Sequence, residues 1–245
     1  EILRCLVGSE MCIRDRVMKE MLARHKGKLI LSSLVILLPI LPAAFAGQTL
    51  FLWEPVLLLV SQWVIMLVVL HANRNKEQSP KVLNLVAWIL PVLSLLLGVV
   101  GQLAQGGADS AYLITALFTF FMGLLFFLIG NYMPKTKQNG AVGIRIKWTL
   151  ESEENWDATH RYAGKLWCLG GLLLMVCALI PSVLMVILLW IVILAAMVIL
   201  PTRYSYRFYK SQVAEGKVEK RPVKPRSIVL IAVLVLAFGA FLAWS

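Results

Sequence analysis

The sequence predicts an all-α membrane protein: a polytopic helical bundle with about seven transmembrane helices and a cytoplasmic interfacial helix. Three observations lead there. Of 245 residues, 60% are hydrophobic and 15% charged, with a mean hydropathy of +0.80, whereas ordinary soluble domains hold roughly 45–50% and 25%. Seven stretches are apolar enough to span or nearly span a bilayer. The cations, which give a net charge of +11, fall in alternate connectors between those stretches.

A spanning helix needs about 20 mostly apolar residues, because the hydrocarbon core is about 30 Å thick and each residue rises 1.5 Å. The candidate spans are 29–46, 50–70, 82–103, 110–130, 166–180, 183–200 and 227–244. None contains Lys or Arg, and their acids, Glu54 and Asp109, lie at or beside an end. A charge at a helix centre would cost about 2.5–3.5 kcal/mol on insertion scales. Pro181 and Ser182 leave almost no turn between the fifth and sixth spans, so 166–200 is expected to be a tight hairpin. Cys168 and Cys177 lie in that hairpin's first arm, about 13 Å apart along a helix, too far to bridge.

All 24 Lys and Arg residues lie before the first span, Arg4 and Arg14 in the leader among them, or in the second, fourth and sixth connectors, and the first, third and fifth connectors hold none. The positive-inside rule then places the N-terminus in the cytoplasm, and the location is expected to be the bacterial cytoplasmic (inner) membrane. Topology accounts for the basic charge, and no direct nucleic-acid binding is expected. The first span contains Pro39 and Pro42 and ends in Ala44-Phe45-Ala46, a pattern that also fits a cleavable signal peptide. Residues 1–16 resemble translated adapter sequence and are expected to be non-native. Residues 17–245 then form a single helical membrane domain.

The fourth connector, 131–165, is the least generic part of the chain. Pro134, Gly140 and Gly143 oppose a helix through its first half. From Ser152 the pattern changes: Ser152 suits an N-cap, Glu153 and Glu154 sit where the helix dipole favours anions, and Asp157 precedes Arg161 by four residues. A helix is expected from near Glu153, with Trp156, His160, Ala163 and Trp167 along one stripe.

The connector resembles the SdpI-type bacterial immunity proteins through Gly130-Asn131, Lys137, Asn139, Gly143-Ile144-Arg145, Trp148-Thr149-Leu150, Trp156, Thr159-His160-Arg161 and Gly164. The resemblance implies a multi-span protein that protects a producing cell from a secreted toxic peptide. In the characterised member it also implies holding a repressor at the membrane. The expected partners are therefore the lipid bilayer, such a peptide and a cytoplasmic repressor protein. By the same resemblance, Asn131, Asn139, Gly143, Arg145, Trp148, Thr149, Trp156, Thr159, His160, Arg161 and Gly164 are the candidate binding and signalling residues. Two departures stand out. Only Gly47–Phe51 joins the first two spans, where relatives carry an outer loop with a Pro, a His-Trp pair or similar and a Gly-rich turn, and a seventh span exceeds the expected six.

Each candidate also has a plainer reading. Arg145 is equally well read as topology charge or as a guanidinium fork for a carboxylate or phosphate. Trp148, Trp156 and Trp167 fit the aromatic belt at a membrane interface better than a binding surface. His160 reads more readily as a hydrogen-bonded structural residue than as an acid, base or pH sensor, and no second ligand lies at metal spacing. Asn131 and Asn139 fit helix capping or loop anchoring. Lys135, Lys137 and Lys147 read as topology charges, and the sixth connector's cations, from Arg203 to Arg226, need only an anionic leaflet.

A membrane transporter or channel-like permease is the alternative function, weakened by spans without ionisable residues. Paired carboxylates, His-Glu-x-x-His and Gly-x-Ser-x-Gly are all missing, so no enzyme, catalytic residue, cofactor or metal site is expected.

Overall fold

Prolines and polar turns divide the chain into helices that fold back on one another. The computed structural model describes residues 26–45, 47, 52–73, 78–106 and 110–218. The expected leader, most of the first connector and the seventh span at 227–244 lie outside the described residues. The described residues are helical, with short 3₁₀ turns and irregular connectors and no strand among them. The helices are α1 (Lys26–Phe45), α2 (Trp53–Asn73), α3 (Pro80–Leu103), α4 (Ala111–Tyr132), α5 (Lys147–Glu151), α6 (Glu153–Cys177) and α7 (Val183–Ala214).

Five of these, α1 to α4 and α7, are long and apolar enough to cross a membrane. The expected fifth span is the second half of α6, whose first half carries Glu153, Glu154, Asp157, Arg161 and Lys165 and lowers the apolar content of the whole helix. Leu184, Ile187, Leu188, Ile191 and Val192 of α7 all stand exposed. Water would not tolerate an aliphatic face of that extent on a lone chain, whereas lipid is its natural solvent. The chain is a multi-pass membrane protein.

Local sequence explains the boundaries. Pro39 cannot donate to the Val35 carbonyl, and a turn at Leu38 and Pro39 interrupts α1 before Ile40–Phe45 resumes it. Pro80 opens α3 at a position where its missing N–H costs nothing. Ser152 caps α6 by accepting the Asn155 N–H at 3.2 Å, and Ser182 caps α7 by accepting from Met185 at 3.4 Å. The α6–α7 hairpin expected at Pro181-Ser182 is therefore present.

One boundary differs from expectation. The helix from Val183 does not stop at Leu200 but runs through Pro201 to Ala214. At 1.5 Å per residue its 32 residues extend about 48 Å, well past a 30 Å hydrocarbon layer. The extension is held by α6: Tyr204 stacks on Tyr162 at 4.6 Å, Ser205 bonds Asn155, and Gln212 donates to Glu154 at 2.8 Å. Tertiary contact thus overrides the proline as a stop.

Two kinds of contact hold the spans together. In α1–α3, Gln62 Nε2 donates to the Ala87 carbonyl at 2.8 Å and approaches Ser32 Oγ at 3.4 Å, while Ser94 Oγ donates to the Ile36 carbonyl at 2.9 Å. Between α4 and α6, glycines bring backbone against backbone. A Cβ on Gly130 would lie 2.6 Å from Cys168 N, and one on Gly164 would lie 2.7 Å from Gly130 O. Two turns deeper, a Cβ on Gly171 would lie 2.5 Å from Gly123 O, and one on Gly123 would lie 2.7 Å from Gly171 O. The pairs Gly130/Gly164 and Gly123/Gly171 therefore fix one antiparallel register.

Replacing Gly130 or Gly171 with Ala should lower the thermal midpoint in detergent. Overpacking of this kind costs about 1–3 kcal/mol. Gly140→Ala, where a Cβ meets nothing within 4 Å, should melt with the parent chain. Equal midpoints for all three variants would remove the seam from the account of stability.

Candidate functional site

The α6 register leaves the polar first half of that helix at the end of the bundle where α4 stops, and there two of its faces become buried. Trp156, His160 and Ala163, three members of the expected stripe, are each no more than 1% exposed and form one face. Asn155 and Thr159 form the other, fully buried toward α7. Trp167, the fourth member, is half-buried and donates from Nε1 to the Met197 carbonyl at 3.2 Å.

The connector after α4 folds over the first face. Asn139 organises it from within: Oδ1 accepts the Ala141 and Val142 N–H groups, each at 2.7 Å, and Nδ2 donates to the Lys137 and Val142 carbonyls at 2.7 and 3.0 Å. Side-chain amides of this kind replace the regular hydrogen bonding that the connector lacks. Gln78, just before α3, grips the same strip by exchanging two bonds with the Lys137 backbone at 2.7 and 3.0 Å. Gln138 Nε2 reaches the Thr149 carbonyl at 2.8 Å.

Contact with α6 comes through Gly143 and Ile144. Gly143 has φ +112°, and a Cβ there would lie 2.5 Å from His160 Nε2 and 2.8 Å from Trp156 Cζ2. Only glycine meets both demands. The next residue, Ile144, donates its N–H to His160 Nε2 at 2.9 Å. His160 Nδ1 lies 2.8 Å from the Trp156 carbonyl, which assigns the proton to Nδ1 and leaves Nε2 as acceptor. The imidazole also stacks on the Trp156 ring at 4.0 Å, and Trp156 Nε1 donates to the Thr136 carbonyl at 2.7 Å. Burial, the largest influence, holds the His160 pKa below its ordinary 6.5, against opposing effects of the Trp156 carbonyl and Asp157.

Thr149 closes the far end. It is fully buried, its hydroxyl lies 2.7 Å from the Ile144 carbonyl and 2.9 Å from that of Ile146, and it accepts the Ile146 N–H at 3.2 Å. The Ile144 peptide unit is thereby held at its N–H by His160 and near its carbonyl by Thr149. Asn155 has all its amide capacity used: Nδ2 donates to the Trp148 and Ser205 carbonyls at 3.2 and 3.1 Å, and Oδ1 accepts from Thr159 and Ser205 hydroxyls at 2.9 and 3.0 Å.

The candidate residues therefore separate into two groups. Asn139, Gly143, Thr149, Trp156, His160 and Gly164 shape or bury the clasped connector, and Thr159 is buried on the other face, donating to Asn155 Oδ1 at 2.9 Å. Trp148 is half-buried against Tyr206 at 4.9 Å, and Asn131, Arg145 and Arg161 are exposed. Arg161 forms no ion pair with Asp157, and near the end of α7 Lys217 pairs with Glu215 at 2.8 Å. Trp156, which suited a membrane-interface belt, is instead a core residue. Asn155, Gln78 and Ser205 were missed by sequence reasoning. For Asn155 the available clue was its place with Ser152 and Thr159 on a second polar stripe of the same helix. Among the described residues, no group of three or more His, Cys, Asp or Glu side chains could hold a metal ion.

Seven-residue glycine pairing, a polar helix half projecting from the spans and a glycine-turned connector clasped on Trp156 and His160 define the site of a multi-pass membrane protein. Residues 135–205, which hold most of the motif, match the model of the SdpI/YfhL protein family. The chain is similar to Immunity protein SdpI of Bacillus subtilis (strain 168), 27% identical over 173 residues that cover 69% of this chain and 79% of the relative. No solved structure matches the chain.

Asn155→Ala should cost about 2–4 kcal/mol, since it strands two buried hydroxyls and two carbonyls. Asn131→Ala, at an exposed position, should leave the melt unchanged. Thermal unfolding of both variants in one detergent checks this, and an unaltered Asn155→Ala midpoint would refute the role given to that amide.

Proposed function

We propose that this chain is a membrane immunity protein, protecting its cell from a secreted toxic peptide, with the clasped connector facing the cytoplasm of a bacterial inner membrane. The likeness to Immunity protein SdpI supports the immunity role. The observation that bears most of the weight is the assembly of Asn139, Gly143, Thr149, Trp156 and His160 into one ordered clasp inside the matched segment. Such order at the end of a bundle serves to hold a surface in one shape. Arg145 and Arg161, exposed on that surface, are then the contacts for a cytoplasmic repressor protein, through guanidinium forks suited to carboxylates. The N-terminus lies in the cytoplasm on this reading, in line with the cations of alternate connectors.

A sensitive bacterial host expressing the chain should survive secreted toxic peptides that kill the same host without it. No gain in survival across the candidate peptides would refute the immunity role. Arg145→Ala and Arg161→Ala should insert at parental levels yet abolish membrane retention of a co-expressed repressor, read by fractionation. Full retention in both would take the repressor contact away from these residues. A thiol placed at Lys147 in a cysteine-free chain should react with a membrane-impermeant reagent only after permeabilisation. Labelling in intact cells would reverse the orientation.

A further inference from the structure

We propose that His160 is a protonation latch: as a neutral imidazole it holds the connector shut through the Ile144 N–H, and a second ring proton releases residues 140–146. The geometry leaves the imidazolium no tolerable position. Nε2 lies 2.9 Å from a backbone nitrogen that already points its own proton at it. Adding a proton there sets two N–H donors against each other inside a site that is 1% exposed. Rotation of the ring does not relieve this, because Nδ1 is engaged with the Trp156 carbonyl at 2.8 Å and Gly143 is pressed against the ring edge. A buried donor without an acceptor costs about 1–3 kcal/mol, and more when charged. The connector, an irregular segment, is the part able to move away.

The surrounding charges do not cancel the effect. On α6, Asp157 favours the cation, and Arg161 is exposed. On the connector, Gly143 and Ile144 are uncharged, and Arg145 is exposed. Among the described residues, Asp157 is the one charged group of any element that shifts the His160 titration. Stacking on Trp156 also favours a cation. Burial and the Ile144 donor oppose it. The group's folded pKa lies below its free value of 6.5, so the latch contributes fully above 6.5 and weakens as pH falls from there toward the folded pKa.

Release has a defined structural consequence. Val142, Gly143 and Thr136 line an apolar cavity of about 90 Å³, together with Val82, Ile129 and Met133 of the region where α3 meets α4. Lifting 140–146 opens that cavity, uncovers the Trp156 ring and moves Arg145, which directly follows the latched peptide.

Amide hydrogen exchange of the full chain in lipid nanodiscs tests the latch, with rates normalised for the intrinsic effect of pH. Between about pH 7.5 and about pH 5, protection of 140–146 should fall by about tenfold per pH unit within the titration window, while α7 stays protected. His160→Gln supplies an acceptor that does not titrate and should hold protection constant. His160→Phe keeps the stacked ring without the acceptor and should leave the segment unprotected throughout. Protection in the parent chain that ignores pH, or the same fall in His160→Gln, would overturn the proposal.

Discussion

The close approach of α4 and α6 is the constraint on which the rest of the structure depends. Lipid tails are as apolar as leucine, so burying aliphatic side chains between two spans gains little over leaving them in the bilayer. What lipid cannot supply is dispersion contact at backbone distance, and glycines provide it at Gly123/Gly171 and Gly130/Gly164. Because both pairs are seven residues apart on both helices, a slide of one turn would set every glycine against a side chain. The seam thereby fixes how far α6 extends beyond the end of α4. That offset decides which residues of α6 are available to the connector, and it brings Gly164 under Pro134 at the place where the connector leaves the bundle.

The offset also separates two chemistries along one helix. Deep in α6, Gly170, Gly171 and Leu174 are buried among apolar neighbours. Beyond Gly164 the partners become polar: Asn155 with Ser205, Glu154 with Gln212, His160 with Ile144. Such networks specify a single arrangement when fully satisfied, and they are costly when half-made. The prolongation of α7 past Pro201 belongs to the same logic, since a second helix must project as far as α6 to meet Asn155 and Glu154. The α1–α3 group uses sparser cross-links, through Gln62 and Ser94, and it touches the clasp through Gln78.

Legibility in the sequence followed the range of the interaction. The start of α6 was readable from Ser152, Glu153 and Glu154, because capping and dipole effects act within one turn. The hairpin at Pro181-Ser182 and the apolar extents of α1 to α4 were readable for the same reason. The end of α7 was not, because Pro201 is a local stop signal and the contacts that outweigh it come from residues 40 to 60 positions away in sequence, as the Ser205–Asn155 and Gln212–Glu154 pairs show. Trp156 was misplaced at the lipid interface for a related reason. Composition marks tryptophan as amphipathic, but only the folded connector supplies the Thr136 carbonyl that satisfies its indole N–H in the core.

The clasp changes what the shared motif signifies. Most of its residues have no side-chain capacity left for a partner: the Asn139 amide is used within its own turn, Thr149 and His160 hold the Ile144 peptide from either side, and Trp156 is sealed beneath Gly143. Their chemistry goes into shape. The exposed guanidinium groups follow that shape, Arg145 directly after the fixed peptide and Arg161 directly after His160. Exposed and buried motif residues therefore alternate along the chain, so a change at His160 alters the surface even though His160 is hidden from it. On the proposed function, a substitution at a buried motif position and one at an exposed arginine would produce the same loss of partner binding by different routes, and only the first would also change the exchange rate of the connector's amides.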